Sequence, residues 1–552
     1  MSAEPSRQAP ETSVLIGGRA GYGIDKAGMV IAGFLSRLGY RLYIYRDYPS
    51  LIRGGHTFSI IRAAQKRIAA HRDQVDYLLA LNQETLELHR AKLQPGGLVI
   101  YDSDSVKSDG IGVPIGSLLK EAQAPEIARN TCLLGAFARA AGLDWALVEA
   151  VLRENMPREL EINLAVARRG YDAVRPAAAL QKFDQPALPV LTGNEALAQG
   201  LIAGGLQAYV AYPMTPSSTI LSFMAEQAEE RGLKVVQPES EIGVMLMALG
   251  FSYAGNRVAV GTSGGGFCLM TEGLSFAGMA ELPVVIVMGQ RTGPSTGLPT
   301  YTGQSELQFV LNAGHGEFPR FVVAPGDAEE AYYWSAVALN LAWQFQVPSF
   351  VLTDKTMAEG IFNFDLKAVK PLPAAKSAVW DGKAPYQRYA DAVSGVSPLA
   401  FPGAPEAIVK INSYEHDEAG LTVEDAAVTK RNADKRRRKE LALLEELKNY
   451  EAVKTYGRGE TALLCWGSNK GVCVETAEKL GWKVIQPLVL APFPAEQFKA
   501  ALKGVKKLIC VENNLSGQLV KLLALNGFSV AASVNKYDGR PFALGELEQK
   551  FK

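Results

Sequence analysis

Four short apolar runs between residues 208 and 287 constrain the fold of this 552-residue chain more than any other feature. They are residues 208–211, 233–236, 258–260 and 284–287, and each ends in small, polar or charged residues. Such runs are typical of buried strands in a parallel sheet, with helical patterns at residues 241–253 and 269–280 between them. The sequence therefore predicts an α/β domain built on a mostly parallel sheet.

The polar segments that follow these runs are expected to meet at one edge of the sheet. Parallel α/β sheets bind ligands beyond the carboxyl ends of their strands, where successive segments come together. Thr215, Glu241, Ser263 and Arg291 each lie in one of the four segments. We therefore expect these four side chains to line one crevice.

Length and composition limit the number of domains and the classes of protein to which this chain could belong. The length predicts three or four domains. A hydrophobic content of 48%, a charged content of 21% and a net charge of zero favour a globular protein without general affinity for nucleic acid or acidic membranes. The five cysteines form no C-x-x-C pair, which favours reduced thiols in the cytoplasm and argues against an iron–sulfur cluster held by this chain alone. No apolar run is long enough to span a bilayer, and no metal site is expected.

Composition shifts divide the chain into six segments. Residues 1–12 are polar, lack a signal-peptide core and are expected to form a disordered tail. The basic run 435–439 is interpreted as a solvated helix face, because acidic residues follow it and aromatic residues are not interleaved. The further segments are an α/β domain (13–168), a proline-containing linker (169–190), the central domain (191–365), a connection with a charged helix (366–456) and a small α/β domain (457–552).

A glycine-rich loop near the start allows two interpretations. Gly17–Gly23 follows an apolar run and precedes a helical pattern, an arrangement in which helix amides can hold a phosphate. The spacing is not G-x-G-x-x-G, and no acidic residue follows at a clear ribose-binding strand end. A tight turn is therefore favoured over a dinucleotide site, while an NAD-dependent Rossmann oxidoreductase stays an alternative.

Several motifs in order resemble one enzyme family over nearly the whole chain. The motifs are Tyr-Pro-Met-Thr-Pro-Ser-Ser (212–218) with Glu241, Thr-Ser-Gly-Gly-Gly-Phe (262–267), Met-Thr-Glu-Gly-Leu (270–274), Gly-Pro-Ser-Thr-Gly-Leu-Pro (293–299), Ile-Arg-Gly-Gly (52–55), Tyr-Glu-His-Asp-Glu (414–418) and Val-Glu-Asn-Asn (511–514). Through them the chain resembles the α subunit of 2-oxoacid:ferredoxin oxidoreductases, of the 2-oxoglutarate type, with a γ-like domain fused ahead of it.

The resemblance implies a fold and an activity. The expected fold joins the γ-like domain to a pyrimidine-binding domain of the thiamine-enzyme type and a C-terminal domain like that of transketolase. The implied reaction is the reversible oxidative decarboxylation of a 2-oxoacid to an acyl-CoA and CO₂, with electrons passed to ferredoxin. 2-Oxoglutarate is the leading substrate, and pyruvate or a branched-chain 2-oxoacid stays open. A non-catalytic scaffold or regulatory subunit of the same fold is a further alternative.

The resemblance also implies a partner. A β subunit is expected to hold Mg²⁺ with thiamine diphosphate and a [4Fe–4S] cluster, in an αβ or (αβ)₂ assembly. This chain lacks a Gly-Asp-Gly motif followed by Asn, so we expect it to be active only with that subunit. Coenzyme A enters as a substrate.

Residue roles follow from the same resemblance. Glu241 is expected to hydrogen-bond the pyrimidine N1′ and favour the imino tautomer that removes the C2 proton. On pattern alone it would only stabilise a helix N-terminus. Thr215 is the second catalytic candidate, although its pattern alone fits a proline-rich turn. Substrate binding is assigned to Tyr212, Thr215, Pro216, Ser217, Arg291 and Tyr301, cofactor binding to Glu241, Ser263, Gly264 and Gly265, and coenzyme A binding to Arg53, Gly54 and Gly55.

Arg291 and Tyr301 carry the expectation about substrate choice. Arg291 lies at a strand end, where it could pair with a substrate carboxylate or form an ion pair that only stabilises the fold. Its position in the sequence fits both roles. Many relatives carry a basic residue where Tyr301 stands, and tyrosine offers only one neutral hydrogen bond. We therefore expect weaker binding of dicarboxylic 2-oxoglutarate than in those relatives, unless residue 301 points away from the pocket.

Overall fold

The computed structural model describes residues 11–50, 54–374 and 376–552, which divide into two compact units. Unit 1 consists of the described residues up to Leu191, together with Gly360–Asp365 and Ala543–Lys552. Unit 2 consists of Thr192–Glu359 and Leu366–Phe542. Among the described residues, no helix combines the length and the hydropathy that crossing a bilayer requires.

Unit 1 is built on a mixed sheet with helices packed against it. Within the described residues the strand order is β6-β5-β4-β1-β3-β2-β14-β7, parallel from β6 to β1 and antiparallel where β3 pairs with β1 and β2. The elements, numbered along the whole chain, are β1 (Glu11–Arg19), α1 (Ile24–Arg37), β2 (Arg41–Asp47), β3 (His56–Ala64), β4 (Val75–Ala80), α2 (Gln83–His89), β5 (Leu93–Asp102), β6 (Ile111–Val113), α3 (Ile115–Glu121), α4 (Arg129–Ala140), α5 (Trp145–Asn155), α6 (Leu160–Asp172), β7 (Val190–Thr192), β14 (Ile361–Asn363) and α18 (Leu544–Gln549).

Both ends of the first domain lie outside the segment predicted for it. Strand β1 begins at Glu11, inside the predicted tail, because Glu11 pairs with Ala64 in the ladder and its carboxylate accepts a 2.7 Å hydrogen bond from Arg62 Nε. Helix α6 continues to Asp172, four residues beyond the predicted end, because Tyr171 is buried. Tertiary packing therefore extends both elements past the points where the composition changes.

Unit 2 contains the central sheet, a long charged helix and a second sheet. Its elements are α7 (Gly193–Ala203), β8 (Ala208–Ala211), α8 (Ser218–Arg231), β9 (Lys234–Val236), α9 (Glu241–Tyr253), β10 (Val258–Ser263), α10 (Gly264–Met279), β11 (Val284–Gln290), α11 (Leu307–Asn312), β12 (Phe321–Val323), α12 (Ala328–Phe345), β13 (Pro348–Asp354), α13 (Lys355–Glu359), α14 (Ala426–Glu446), β15 (Val453–Gly457), β16 (Thr461–Leu464), α15 (Asn469–Leu480), β17 (Lys483–Pro487), β18 (Val489–Ala491), α16 (Ala495–Ala501), β19 (Lys507–Glu512), α17 (Gln518–Leu525) and β20 (Ala532–Asn535).

The central sheet places the predicted polar segments at one edge. Strands β9, β8, β10, β11 and β13 are neighbours in that order and pair in parallel. Their side chains are mostly buried, as expected for a sheet covered on both faces. The α/β fold class and the four central strands are therefore confirmed.

The second sheet has the order β15-β17-β16-β19-β20 within the described residues. The segment after β11 is tied to this region through Gln304. Its side chain donates to Trp466 O at 2.9 Å and accepts from Asn469 Nδ2 at 2.8 Å. Asn514 Nδ2 donates to Gln304 O at 3.0 Å. The Val-Glu-Asn-Asn motif therefore holds the loop that carries residues 291–306.

Helix α14 corrects the expectation of a solvated basic face. Lys435 and Lys439 are only 2% and 1% exposed. Their Nζ atoms lie 2.7 Å and 2.5 Å from the two carboxylate oxygens of Glu281, which is buried as well. The solvated-face interpretation is wrong for these two lysines, because both are buried and pair with the same carboxylate of Glu281.

Candidate functional site

The loop after β8 positions Thr215 at the carboxyl edge of the central sheet. The Thr215–Pro216 peptide bond is cis, and Asn194 Nδ2 donates to Pro216 O at 2.8 Å. Ser217 is buried, and its hydroxyl donates to Met214 O at 2.8 Å instead of capping α8. Thr215 and Tyr212 are half-buried. Pro216 and Ser217 therefore lie beneath the loop and support it, whereas Thr215 stays accessible.

Glu241 is the first residue of α9 and is only 5% exposed. In the described part of the chain its carboxylate has no hydrogen-bond or ion-pair partner. A Cβ atom on Gly266 would lie 2.5 Å from Glu241 Oε1 and 2.3 Å from Thr262 Oγ1, so a side chain there would displace the carboxylate. The helix α10 thus approaches the carboxylate closely, and its oxygens stay open to a ligand.

The start of α10 provides space beside that carboxylate. Ser263 is fully buried, and its hydroxyl has no partner among the described residues. A Cβ atom on Gly265 would meet only Ser295 O at 3.9 Å and Met214 Cε at 4.0 Å. These orphaned polar atoms and the open glycine turn fit an aromatic heterocycle with hydrogen-bonding nitrogen atoms.

Arg291 joins the end of β11 to the loop of Thr215. Its Nη1 donates to Thr215 O at 2.9 Å, while its buried Nε has no partner within the described residues. Burial lowers the pKa of Arg291, and the nearby Glu306 opposes this shift. Arg291 therefore keeps a donor for an anionic ligand while it braces the loop.

Glu306 is a site residue that the sequence did not single out. Its Oε1 accepts a 2.7 Å hydrogen bond from Ser305 Oγ and would lie 3.1 Å from a Cβ atom on Gly264. Its Oε2 is buried without a partner among the described residues. Burial raises the pKa of Glu306 to about 7, with Ser305 and Arg291 opposing the shift. This carboxyl group therefore titrates near neutral pH beside the start of α10.

Tyr301 lies on the strand-like turn opposite Arg291. Thr292 N donates to Tyr301 O at 3.4 Å, and the backbone bridge between Thr292 and Leu298 closes the turn. The guanidinium carbon of Arg540 stands 3.7 Å from the centroid of the Tyr301 ring. The ring of Tyr301 therefore faces a cation that sequence spacing gave no reason to connect with it.

The predicted coenzyme A residues lie in unit 1. Arg53 is outside the described residues. Gly54 and Gly55 have positive φ angles of 79° and 87°, and a Cβ atom on Gly54 would meet nothing within 4 Å. Ala20 N donates to Gly55 O at 3.0 Å, so this turn lies against the glycine loop.

The glycine loop itself has the features of a tight turn. Asn130 Nδ2 donates to Gly23 O at 3.0 Å and would lie 2.5 Å from a Cβ atom on Gly23. The asparagine amide therefore fills the space beside the start of α1. This packing favours the turn over a dinucleotide site.

One face of α9 and α10 exposes apolar side chains next to the site. Ile242, Leu246 and Met247 of α9 and Leu269 of α10 are each about half exposed, at 48–51%. A clustered apolar face of this kind is typical of a protein interface. It begins one residue after Glu241, so a chain that docked there would lie beside the buried carboxylate.

Comparisons with known proteins identify the family. Residues 199–435 match the thiamine diphosphate-binding family of pyruvate flavodoxin/ferredoxin oxidoreductases, and residues 13–173 match the pyruvate ferredoxin/flavodoxin oxidoreductase family. The α subunit of 2-oxoacid:ferredoxin oxidoreductase 2 from Aeropyrum pernix is 32% identical, over 96% of each chain. The chain belongs to the 2-oxoacid:ferredoxin oxidoreductase α-subunit family.

Two further relatives within that family are named for 2-oxoglutarate. The KorA subunit of 2-oxoglutarate oxidoreductase from Mycobacterium tuberculosis is 29% identical, over 99% of this chain and 92% of that one. The 2-oxoglutarate:ferredoxin oxidoreductase from Magnetococcus marinus, solved with 2-oxoglutarate, coenzyme A and succinyl-CoA bound, superposes with a TM-score of 0.89 at 28% identity over 99% of each chain. The resemblance, the fold and the assignment to an oxidoreductase are confirmed.

In this 2-oxoacid:ferredoxin oxidoreductase α subunit, the central strands bring Thr215 and Arg291 into contact. Glu241 meets the glycine turn at the start of α10, and Glu306 meets the same turn from the side of Arg291. The sequence offered one signal for Glu306, an acidic residue directly before the apolar start of a helix. It offered none for Arg540, which comes from a segment more than 200 residues away.

Proposed function

We propose that this α subunit binds the pyrimidine half of thiamine diphosphate and takes part in the CoA-dependent oxidative decarboxylation of 2-oxoglutarate. The observation that carries the proposal is Glu241, a residue only 5% exposed whose carboxylate has no partner among the described residues and lies directly against the glycine turn at Gly266. When bound, thiamine diphosphate supplies a carbanion that adds to the keto carbon of the substrate.

The residues of the chain have separate tasks in this proposal. Glu241 accepts a hydrogen bond at the pyrimidine N1′ position and keeps a proton there. Ser263, Gly264 and Gly265 form the surface on which the ring lies. Thr215 donates its hydroxyl to the keto or carboxylate oxygen, and Arg291 pairs with the carboxylate.

The choice of 2-oxoglutarate rests on the relatives and on the charge of the site. The Mycobacterium tuberculosis and Magnetococcus marinus proteins are named for 2-oxoglutarate. The described site contains a buried guanidinium, and a second one stands over Tyr301. Such cations favour an anionic 2-oxoacid, and the choice of 2-oxoglutarate among these acids rests on the relatives.

A β subunit is proposed to cover the apolar face of α9 and α10. That subunit would carry Mg²⁺, the thiamine diphosphate group and a [4Fe–4S] cluster, and it would pass electrons to ferredoxin. Ile242, Leu246 and Met247 offer a desolvated contact directly beside Glu241. We therefore propose an αβ or (αβ)₂ assembly whose site is completed across this interface.

Coenzyme A is proposed to bind near Gly54 and Gly55, because the open space above Gly54 lets a ligand approach the backbone. The cytoplasm is the proposed location, because all five cysteines are free thiols.

The activity of Glu241→Gln tests the proposal in the complex with the β subunit. We expect the activation barrier to rise by about 3 kcal/mol, which lowers kcat roughly 100-fold or more. Folding and assembly with the β subunit should be unchanged. Glu239→Gln is the matched control, because Glu239 is exposed two residues earlier. An equal loss in both variants would contradict the role of Glu241.

Iron analysis and calorimetry on the isolated chain test the need for a partner. The isolated chain should hold no stoichiometric iron and bind thiamine diphosphate only weakly, because its ligand sets are incomplete. Tight Mg²⁺-dependent binding by the chain alone would contradict the proposed β subunit.

A further inference from the structure

Glu306 contacts both the start of α10 and the end of β11. Its Oε1 would lie 3.1 Å from a Cβ atom on Gly264, the first residue of α10. Its backbone N donates to Gln290 Oε1 at 3.1 Å, and Gln290 Nε2 donates to Thr353 O at 3.0 Å. Gln290 is the last residue of β11 and directly precedes Arg291. The carboxyl group of Glu306 is therefore held beside two parts of the site, the glycine turn and the segment of Arg291.

Glu306 and Arg291 influence each other's charge without sharing a hydrogen bond. In the described part of the chain, Arg291 Nε and Glu306 Oε2 are both buried without a partner. Arg291 Nη1 donates to Thr215 O instead, and Glu306 Oε1 accepts from Ser305 Oγ. An ionised carboxylate buried near a guanidinium would be expected to pair with it. The unpaired arrangement therefore fits a carboxyl group that keeps its proton and leaves Arg291 Nε available to an anion.

The other groups around Glu306 favour its neutral form. Burial raises the pKa of Glu306 to about 7, and Asp354 at the end of β13 adds to the shift, whereas Ser305 and Arg291 oppose it. Glu241 of α9 lies against the same glycine turn. The first four residues of α10 and the whole of α11 contain no ionisable side chain. The ionised form of Glu306 therefore depends on the charge of Arg291 and the hydrogen bonds of Ser305.

We propose that Glu306 couples the binding of the 2-oxoacid to the uptake of one proton. A substrate carboxylate that pairs with Arg291 offsets the positive charge on which ionised Glu306 depends, and it adds a negative charge nearby. Both effects favour the neutral carboxyl group, so an ionised Glu306 binds a proton from solvent as the substrate enters. Glu306 is thus a positioning residue that sets the pH range in which Arg291 accepts the substrate. The inference rests on the proposed 2-oxoacid activity and specifies how the site admits its anionic substrate.

The pH dependence of the KM for 2-oxoglutarate tests this coupling in the complex with the β subunit. Relative to Glu306→Gln, which does not titrate, the wild-type KM should rise about tenfold between pH 6 and pH 8 as Glu306 ionises. The kcat at saturating substrate should have the same pH profile in both proteins, because bound substrate keeps Glu306 neutral. Glu440→Gln is the control and should keep the wild-type KM profile, because Glu440 pairs with Arg437 on the exposed side of α14.

Calorimetry measures the proton directly. 2-Oxoglutarate is titrated into the complex without thiamine diphosphate, so that no turnover occurs, at pH 8 in two buffers with different heats of ionisation. The wild type should take up about 0.9 proton per substrate bound, and Glu306→Gln about 0.1 or less. Glu306→Asp keeps an ionisable carboxyl group and should recover part of the uptake, which a loss of packing alone would not explain.

The outcomes separate this inference from the proposed function. If the wild-type complex neither binds nor converts 2-oxoglutarate, the proposed function fails. If it is active but its KM has the same pH dependence as that of Glu306→Gln, or if it takes up no proton on binding at pH 8, the coupling through Glu306 is refuted while the function stands. Should the complex without thiamine diphosphate bind too weakly for calorimetry, the KM comparison decides alone.

Discussion

Helices α14 and α9 of unit 2 both depart from the rule that charged residues are exposed and apolar residues are buried, and they do so in opposite directions. Helix α14 carries five consecutive basic residues, yet Lys435 and Lys439 lie in the core. Helix α9 is almost wholly apolar, yet Ile242 and Leu246 are half exposed. A buried charge indicates a partner already present in the chain, and an exposed apolar side chain indicates a surface suited to a partner outside it.

The ion cluster beneath α14 explains the first case. Burial alone would raise the pKa of Glu281, but Lys439 and Lys435 outweigh it and hold that pKa well below its usual range. Burial lowers the pKa of Lys439 to about 8, although Glu281 opposes the shift. Arg388 donates to Glu281 O at 2.8 Å and fixes the turn that carries the carboxylate. Each charge is thus tolerated only because the others are present.

Substitution of Glu281 is expected to have the largest effect on stability. Glu281→Gln leaves two buried lysines without their counter-charge and should lower the free energy of unfolding by about 3–5 kcal/mol. Urea denaturation of the isolated chain, followed by circular dichroism, measures this change. Glu440→Gln is the control, because Glu440 pairs with Arg437 on the exposed side of the same helix. Equal stability of the two variants would show that the buried cluster does not hold α14.

The sequence predicted the parts of the fold that local patterns determine. Strands β8 to β11 follow from apolar runs, and Glu241 was placed at a helix start because a helical pattern begins there. The burial of Lys435 was not predictable, because Glu281 lies 154 residues away in the chain. Arg540 stayed hidden for the same reason, since only the tertiary fold brings it to Tyr301. Pairing over such separations leaves no periodic signal in one sequence.

Glu306 provides the opposite case to Glu281, a buried carboxyl group whose Oε2 has no partner among the described residues. Its pKa is raised from 4.5 to about 7, mainly by burial, so the folded chain keeps a proton that the unfolded chain loses between these values. The stability contribution of this group therefore falls as the pH rises from 4.5 through 7, by about 3 kcal/mol in total.

Glu306→Gln should remove this pH dependence. The variant should gain about 3 kcal/mol relative to wild type between pH 4.5 and pH 8, because glutamine does not titrate. Urea denaturation of the isolated chain at both pH values measures the difference, with Glu440→Gln as the control. A difference that does not vary with pH would contradict a neutral Glu306 in the folded chain.

The next prediction tests whether the exposed apolar face of α9 binds the β subunit. Leu246→Glu should weaken association with the β subunit about 30-fold, because a charge would be buried at the contact. The stability of the isolated chain should change by about 0.5 kcal/mol or less, since Leu246 is already half exposed. Leu441→Glu on α14 is the matched control, because Leu441 is 50% exposed. Equal binding of both variants, measured by titration, would place the interface elsewhere.

The smallest expected effect on stability comes from an exposed residue of the basic run 435–439. Comparing it with a buried residue of the same run tests whether burial determines how much a charge contributes to stability. Arg437 and Lys439 are two residues apart, but Arg437 is 67% exposed and pairs with Glu440, whereas Lys439 is 1% exposed and pairs with Glu281. Arg437→Met should change the free energy of unfolding by about 0.5 kcal/mol or less, because exposed ion pairs contribute little. Lys439→Met leaves Glu281 with one buried lysine and should cost more. If urea denaturation gives the two substitutions the same cost, α14 is not held by its buried charges, and its contrast with α9 is one of composition alone.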